Sequence, residues 1–305
     1  MKKLFLLFVA ALVLTSCEKD SGEINNNNYT PQYEKQILDL PGMSNARQLG
    51  GYVIGDKTVR NDVLLRSGAL SEASDEAILS LRDKYRLALV VDFRSSMERG
   101  AEPDRDVEGA QNVWLPVLEK MVSGEDAGSP LTLIYMYKND PERAIELLQQ
   151  PEIREAVSIG YDLIVFDEAC QRSYAAFLDS LVALPDGRAV LWHCTHGKDR
   201  TGWGAAFLLA ALGAERSLII DDFAMSNIPY AQDIESLASV ARAQGLEDEL
   251  IEYIRILRGV SVAFFEKTLD SIDARYGSID NYLEQALELT SDERQILKDK
   301  FLCKP

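Results

Sequence analysis

One short stretch in the second half of the chain constrains its fold more than any other. Residues 190–202 have the sequence Val-Leu-Trp-His-Cys-Thr-His-Gly-Lys-Asp-Arg-Thr-Gly. An apolar run leads into this stretch, and a small-residue, apolar helix pattern follows it from Trp203 to Leu212. This order predicts a strand, a tight loop and the N-terminus of a helix.

A loop of this kind can hold a phosphate dianion against a thiolate. Backbone N–H groups at a helix start are unpaired, the helix dipole favours negative charge, and a curled loop makes a concave nest of donors. Cys194 lies where these donors should converge, so we expect its pKa to fall below that of a free thiol. Arg200 can bind two phosphate oxygens through its planar guanidinium. Gly197 permits backbone angles that a side chain would forbid.

The other polar residues of the stretch are predicted to support this site. The Thr201 hydroxyl can hydrogen-bond to the thiolate, and the His193 ring can fix the backbone around Cys194. Lys198 is a short reach from the pocket mouth, where it could contact a second phosphate or lower the thiol pKa. The residues that we expect to contact the phosphate of a substrate are Thr195, His196, Gly197, Lys198 and Thr201.

Three segments together resemble one known family. Residues 193–202 resemble the phosphate loop of the protein tyrosine phosphatases, in the form His-Cys-x-x-Gly-Lys-Asp-Arg-Thr-Gly of a bacterial family. Residues 45–51 resemble that family's Asn-x-Arg-Asp-Leu-Gly-Gly segment, with Gln48 in place of Asp, and residues 92–98 resemble its Asp-Leu-Arg-Ser-x-x-Glu segment. The resemblance covers residues 36–300. It implies a cysteine-dependent phosphatase, and members of that family often also cleave phosphoserine, phosphothreonine and phosphoinositides.

The resemblance also implies a mechanism. The Cys194 thiolate attacks phosphorus in line, Arg200 and the loop amides hold the equatorial oxygens, and water hydrolyses the resulting phosphocysteine. A general acid must protonate the leaving oxygen, and no Trp-Pro-Asp segment is present to supply it. Asp199 is the candidate by resemblance, with Asp92 and Asp104 as alternatives. Asp199 could instead only orient Arg200 or cap the helix.

The expected fold is α/β and similar to the protein tyrosine phosphatases, with a central, mostly parallel sheet flanked by helices and a helical C-terminal half. A continuous apolar run over residues 87–91 predicts a strand buried on both faces. Ligands bind at the carboxyl ends of strands in open α/β sheets. We therefore expect Asp92 and Arg94 to face the same crevice as Cys194 and to contribute to substrate binding. Alternatively, Arg94 forms a structural ion pair with Glu98. For Glu98 itself we expect this structural role.

Residues 119–167 have a different composition from the sheet elements around them. They mix glycine, proline and acidic residues with two short helical patterns, at 144–150 and 152–159. We interpret this segment as an insertion that forms a helical lid beside the pocket, where it would exclude water and select substrates. The alternative is a helical pair that only completes the core.

The first 16 residues are predicted to be a signal peptide. Lys2 and Lys3 precede an apolar run that ends at Leu14, and Thr-Ser-Cys follows. The end of this run resembles a bacterial lipobox, in which Cys17 is lipidated and becomes the first residue of the mature chain. An ordinary cleaved signal or a short membrane anchor is the alternative, although the run is too short to span a bilayer comfortably.

The N-terminal features predict the organisation and location of the chain. Residues 17–35 are polar, with an asparagine run at 25–28, and are expected to form a lipidated flexible tether. Residues 36–305 are expected to form the phosphatase domain. The protein would then be exported and lipid-anchored to the bacterial cell envelope, with the lipid as its only contact with the membrane.

The charge and the histidine count limit the partners. The 305 residues carry 32 basic and 49 acidic side chains, a formal net charge of −17, which disfavours nucleic acid as a partner. The only two histidines, His193 and His196, are spaced too tightly with Cys194 for a zinc site. We expect neither a metal nor another cofactor. The expected partner is a phosphorylated protein or a small phosphoester substrate.

The two remaining cysteines, Cys170 and Cys303, could form a disulfide in an exported protein. A buried free thiol is the favoured state for Cys170.

Three functions remain open from the sequence. The first is hydrolysis of phosphotyrosine-type phosphomonoesters, with dual specificity open. The second is the same chemistry on inositol phosphates or phosphoinositides, which Lys198 favours and the acidic surface disfavours. The third is a phosphate-binding lipoprotein without catalysis, and the intact Cys194 and Arg200 argue against it.

Overall fold

The predicted strand–loop–helix lies at the centre of an α/β structure. The computed structural model describes residues 30–122, 129–137 and 140–304. The strands are β1 (Arg47–Gln48), β2 (Val53–Ile54), β3 (Lys57–Val59), β4 (Leu64–Ser67), β5 (Leu87–Asp92), β6 (Gln111–Trp114), β7 (Ala189–His193) and β8 (Leu302–Cys303). The central five-stranded sheet has the order β1-β4-β7-β5-β6. Only β1 runs antiparallel to its neighbour, which confirms the mostly parallel sheet.

Helices flank this sheet and make up most of the C-terminal half. The first nine are α1 (Thr30–Gln36), α2 (Asp75–Leu79), α3 (Ser96–Ala101), α4 (Glu119–Val122), α5 (Pro130–Tyr137), α6 (Pro141–Leu148), α7 (Pro151–Ser158), α8 (Gly160–Phe166) and α9 (Glu168–Ala183). The others are α10 (Asp199–Leu212), α11 (Arg216–Ala224), α12 (Ala231–Ala243), α13 (Asp248–Arg258), α14 (Val262–Tyr276), α15 (Ile279–Gln285) and α16 (Ser291–Phe301). A second, antiparallel sheet of β2, β3 and β8 lies apart from the central one.

The alternation of side chains along the strands divides the core between the two faces of the central sheet. Val190 and Trp192 belong to the larger cluster, which includes nearly all of α10 and the helices that surround it. Ala189 and Leu191 belong to the smaller cluster, which packs against α2. Helix α10 is buried on all sides apart from its first residue, as its apolar pattern predicts, and it ends at Gly213 with a φ of +90°.

The described residues of the inserted segment are mostly helical, as predicted, and they pack against another part of the chain. Helices α5 to α7 share a separate apolar cluster with the hairpin of α12 and α13. Ile134 and Leu148 from the insertion meet Ala238 and Ile254 from the hairpin in this cluster. The insertion therefore packs on the α12–α13 hairpin, beside the central sheet. Its role as a lid stays a prediction.

The N-terminal boundary differs from the expectation. Residues 1–29, which include Cys17, the signal peptide and most of the tether, lie outside the described residues. The tether was expected to extend to residue 35, but α1 begins at Thr30. Tyr33 and Gln36 lie three residues apart on one face of this helix and both are buried, so tertiary packing orders it.

No helix within the described ranges combines the length and the apolar character that crossing a membrane requires.

Candidate active site

The loop between β7 and α10 has the backbone geometry that its sequence predicts. The strand ends at His193, and the helix begins at Asp199. Gly197 between them has a φ of +64°, a conformation that glycine adopts without strain. A Cβ atom at this position would lie 2.3 Å from the carbonyl carbon of Ser67, so no larger residue fits here.

Cys194 lies at the base of this loop, with only 2% of its surface exposed. Burial raises the pKa of the thiol, but the charge of Arg200 and the nearby hydroxyl and amide donors of Thr201 outweigh this effect. The pKa of Cys194 therefore lies below the ordinary thiol value. The Thr201 hydroxyl is buried and has no hydrogen-bond partner within the described part of the chain, which leaves it available to the sulfur. These features favour a thiolate at neutral pH.

Arg200 is held in place by a carboxylate from another segment. Its Nη1 and Nη2 atoms each donate to Glu98 at 2.8 Å, and Nη1 also donates to the Phe93 carbonyl at 3.3 Å. The Thr195 hydroxyl also donates to Glu98. This bidentate pair fixes the plane of the guanidinium beside Cys194.

The placement of Glu98 corrects the sequence expectation. Glu98 makes an ion pair, but its partner is Arg200 in the phosphate loop and not Arg94. Glu98 is the third residue of α3 and completes a capping box with Ser95, whose amide donates to it at 2.9 Å. The Ser-x-x-Glu spacing could have predicted the cap, but it contains no information on the distant arginine.

Asp199, the candidate general acid, lies at the first position of α10 and contacts the inserted segment. Its Oδ1 accepts a hydrogen bond from Tyr161 of α8 at 3.1 Å. Tyr161 also accepts a hydrogen bond from the Ser261 amide at 3.3 Å, and its ring packs edge-on against Phe223. The sequence analysis missed Tyr161, because no local pattern distinguishes it from a core aromatic residue.

Lys198 contacts backbone carbonyls at the end of α13, and its contact with a second phosphate stays a prediction. Its Nζ donates to the carbonyls of Leu257 and Gly259, at 2.7 and 2.6 Å, where α13 ends. The side chain is buried, and burial lowers the pKa of its ammonium group. Nζ lies 3.8 Å from Asp199. Lys198 therefore ties the loop to the α12–α13 hairpin.

Asp92 and Arg94 lie beside the loop in a buried ionic network. Arg94 donates to Asp92 at 3.0 Å and also to Asp104. His193 Nε2 lies 3.3 Å from Asp104, and its Nδ1 lies 3.3 Å from the Cys194 carbonyl oxygen. Burial lowers the pKa of His193, but the two carboxylates outweigh this effect and the pKa lies above its ordinary value. Asp92 and Arg94 contact other members of this network and do not contact Arg200. Both side chains therefore lie behind the loop.

The same network brings three possible metal-ligand atoms together, on Asp92, Asp104 and His193, all within 4.8 Å of one another. Arg94 donates to both carboxylates, however, and Arg99 Nε lies 3.1 Å from Asp92. The two guanidinium groups already balance the carboxylate charges and would repel a cation. The donor set thus fits an ion-pair network better than a metal site. These pairings also make Asp92 and Asp104 weaker candidates than Asp199 for the general acid.

A small apolar cavity of about 110 Å³ adjoins the helix side of the loop. Lys198, Asp199 and Arg200 form its polar end. Its apolar walls are formed by Leu118, by the inserted segment and by the C-terminal helices. The residues from the last two are Ile134, Val157, Tyr161, Ile164, Ile256, Leu257 and Phe264. A cavity with this lining suits an apolar leaving group attached to a phosphate.

The cysteines of the described chain are free thiols. Cys170 is buried and accepts a hydrogen bond from the Leu118 amide at 3.3 Å. Burial raises the pKa of Cys170 to about 12, so it is an inert thiol, as the favoured prediction had it. Cys303 lies on β8 beside Thr58, which excludes the alternative of a Cys170–Cys303 disulfide in this structure.

The fold and the loop together define a class of enzyme. A cysteine and an arginine six positions apart, on a loop between a parallel strand and a buried helix, are the features of the cysteine-dependent phosphatases. The sequence profile of the Tyrosine phosphatase family matches residues 38–303, and the chain therefore belongs to that family. The protein is a phosphatase, as the sequence analysis predicted.

Individual relatives support this assignment. A protein of Cupriavidus necator, named as a candidate tyrosine-protein phosphatase, is 33% identical over 260 residues, 83% of this chain and 84% of the relative. The triple specificity protein phosphatase PtpB of Mycobacterium tuberculosis is 27% identical over 267 residues, 82% of this chain and 94% of the relative. A tyrosine-protein phosphatase of Nostoc commune is 30% identical over 139 residues, 43% of this chain and 46% of the relative.

Proposed function

We propose that this phosphatase hydrolyses phosphotyrosine-type phosphomonoesters through a phosphocysteine on Cys194. The observation that carries the proposal is the placement of buried Cys194 and Arg200 on one loop between β7 and α10, where the charge of Arg200 lowers the pKa of the thiol. A thiolate in this position is an activated nucleophile, and the helix N-terminus favours the dianion that it attacks. Glu98 supports the reaction by holding Arg200 in one orientation.

The proposed reaction has two steps. In the first, Cys194 Sγ forms a bond to phosphorus while the bond to the leaving oxygen breaks, and protonated Asp199 gives its proton to that oxygen. In the second, water attacks phosphorus, the S–P bond breaks, and the Asp199 carboxylate takes the proton that the water loses. Arg200 and the loop amides stabilise the charge on the equatorial oxygens throughout. Inorganic phosphate and the free thiolate are the products of the second step.

The substrate proposal follows from the cavity beside Asp199. Its apolar walls match an aromatic leaving group, which favours phosphotyrosine over the shorter phosphoserine. The mycobacterial relative is named a triple specificity phosphatase, so we include phosphoserine and phosphothreonine as slower substrates. Inositol phosphates are less favoured, because the Nζ atom of Lys198 is bound by two backbone carbonyls.

A substrate panel tests the proposal. The full chain should release phosphate from phosphotyrosine peptides faster than from phosphoserine peptides or inositol phosphates, and Cys194→Ser should abolish release from all of them. Asp199→Asn should lower kcat on phosphotyrosine by roughly 100-fold or more, which is the usual contribution of a general acid. Phosphate binding without any turnover in the folded, reduced protein would support the non-catalytic alternative instead.

We further propose that the protein is exported and anchored to the cell envelope through lipid on Cys17. The basic start, the short apolar run and the position of Cys17 support this proposal. Two or more acyl chains would anchor the protein stably, whereas one chain binds membranes only reversibly. Metabolic labelling with a palmitate analogue should label the wild-type chain and not Cys17→Ala. Label retained on the alanine variant would contradict the proposal.

A further inference from the structure

Four successive carbonyl groups of the phosphate loop are held from outside the loop. The Cys194 carbonyl faces His193 Nδ1, and the Thr195 carbonyl accepts from the Ala69 amide at 3.1 Å. The His196 carbonyl accepts from the Tyr230 hydroxyl at 2.6 Å. These partners come from β7, from the segment after β4 and from the start of α12, so three separate parts of the fold meet on the outer side of the loop.

The fourth carbonyl has two donors. Gly197 O accepts from Asn45 Nδ2 at 2.7 Å and from Arg66 Nη2 at 3.0 Å. Asn45 is itself held by Arg47, which donates to its side-chain oxygen. Asn45 has a φ of +50°, and this strained backbone places the amide beneath Gly197.

The two arginines share one carboxylate. Arg66 donates to Asp222, and Arg47 Nε lies 3.5 Å from the same side chain, with all three groups buried. Tyr52 also donates to Asp222 at 2.9 Å and stays neutral, because burial and Asp222 raise its pKa. Two cations and one anion leave a net charge of +1 beneath the loop, where it favours the thiolate and a bound oxyanion.

We propose that Tyr230, Asn45 and Arg66 are positioning residues, which hold the outer carbonyls of the loop so that its amides point at the phosphate. In a trans peptide the C=O and the following N–H point in opposite directions, and the described chain contains no cis peptide. Holding the His196 and Gly197 carbonyls outward therefore turns the Gly197 and Lys198 amides inward. The loop is then organised before the substrate arrives.

This inference rests on the proposed binding of phosphate by the Cys194 loop, and it predicts a loss of oxyanion affinity when a positioning group is removed. Tyr230→Phe removes one hydroxyl, and Asn45→Gly removes one amide while tolerating the positive φ. Tyr282→Phe is the matched control, because the buried Tyr282 hydroxyl donates to the Val165 carbonyl at 2.6 Å, away from the loop. Each change is made in the full chain, and melting curves establish that each variant folds.

The first measurement is the binding of inorganic phosphate by calorimetry in the Cys194→Ser background, where no turnover occurs. We expect Kd to rise roughly 10- to 100-fold for Tyr230→Phe and Asn45→Gly, as for other groups that orient binding residues from behind. The second measurement is the pH midpoint of Cys194 alkylation by iodoacetamide, which should rise in both variants. If Tyr230 and Asn45 only stabilised the fold, their substitution would lower the melting temperature but leave the pH midpoint of Cys194 alkylation unchanged.

Unchanged phosphate affinity and alkylation midpoint in folded Tyr230→Phe and Asn45→Gly would overturn the inference, as would an equal effect of Tyr282→Phe. Different results would contradict the proposed function. These are the absence of turnover in the wild-type chain, or turnover that persists in Cys194→Ser. Phosphate binding in the serine background does not depend on turnover, so the two failures can be distinguished.

Discussion

At the scale of single residues, the site depends on one carboxylate that holds one guanidinium. Glu98 binds both Nη atoms of Arg200, and its side chain is only 15% exposed. Glu98→Gln keeps the shape but loses the charge, so Arg200 should sample more orientations and kcat should fall roughly 10- to 100-fold. Steady-state kinetics with p-nitrophenyl phosphate measures this, and Glu102→Gln, an exposed position just after the same helix, is the control.

An unchanged kcat in Glu98→Gln would show that the loop alone orients Arg200. A larger effect on KM than on kcat would indicate that Glu98 acts on substrate binding and not on the transition state.

The Cys194 thiol gives a second prediction at this scale. Its pKa lies below the ordinary value, so the pH midpoint of its alkylation by iodoacetamide should lie below that of a free cysteine peptide measured under the same conditions. Thr201→Val removes a hydroxyl that stabilises the thiolate and should raise this midpoint. Thr268→Val, at another buried threonine, should leave it in place. A midpoint that does not move in Thr201→Val would exclude the hydroxyl from the stabilisation.

At the scale of secondary-structure elements, strong periodic patterns predicted the structure well. The strand at residues 87–91, the strand–loop–helix around Cys194 and the helical C-terminal half all formed as expected. Helix α2 begins at Asp75, where Ser74 caps it, and the chain continues as a π-helix over Ser80–Lys84. Local pattern cannot predict such a widened turn, because it depends on the packing of its neighbours.

The contacts between elements could not be predicted from the sequence. Glu98 and Arg200 are 102 positions apart, and Asn45 and Gly197 are 152 positions apart. The loop motif identified the nucleophile and the arginine, because their spacing follows from local geometry. The contacts of Tyr161, Tyr230 and Lys198 depend on tertiary packing, which no local spacing encodes.

Lys198 links the loop to the α12–α13 hairpin and gives a prediction at the element scale. Lys198→Met removes the donor to the Leu257 and Gly259 carbonyls, so the end of α13 should open more often. Hydrogen exchange should become faster in α12 and α13 and stay slow in β5 and β7. The exposed Lys267→Met is the control. Exchange that is unchanged in the hairpin would mean that the apolar cluster with α5 to α7 holds it without Lys198.

At the scale of the whole molecule, the buried Asp222 couples stability to pH. Burial raises the pKa of Asp222, but Arg66 and Arg47 outweigh it, so the folded pKa lies below the ordinary value of 3.8. A folded pKa below the unfolded one contributes stability that is complete above the unfolded pKa and is lost as pH falls through the folded pKa. The wild-type chain should therefore lose stability below about pH 4.

Asp222→Asn tests this coupling. The variant leaves two buried arginines without their carboxylate and should be less stable at neutral pH by about 3–5 kcal/mol. Its stability should also depend less on pH below about pH 4 than that of the wild type. Urea unfolding across this range measures both effects. If the free energy of unfolding changed with pH in the same way for both proteins, other carboxylates would control the loss of stability at low pH.

Cys194 is the proposed nucleophile of this member of the tyrosine phosphatase family. The most direct measurement is p-nitrophenyl phosphate hydrolysis by the full chain beside Cys194→Ser, with mass analysis of the acid-quenched wild-type enzyme. We expect the wild-type chain to hydrolyse the ester, the substitution to abolish hydrolysis, and one phosphoryl group to be added to the peptide that contains Cys194. Hydrolysis that survives in Cys194→Ser, or a phosphoryl group on any other residue, would contradict it.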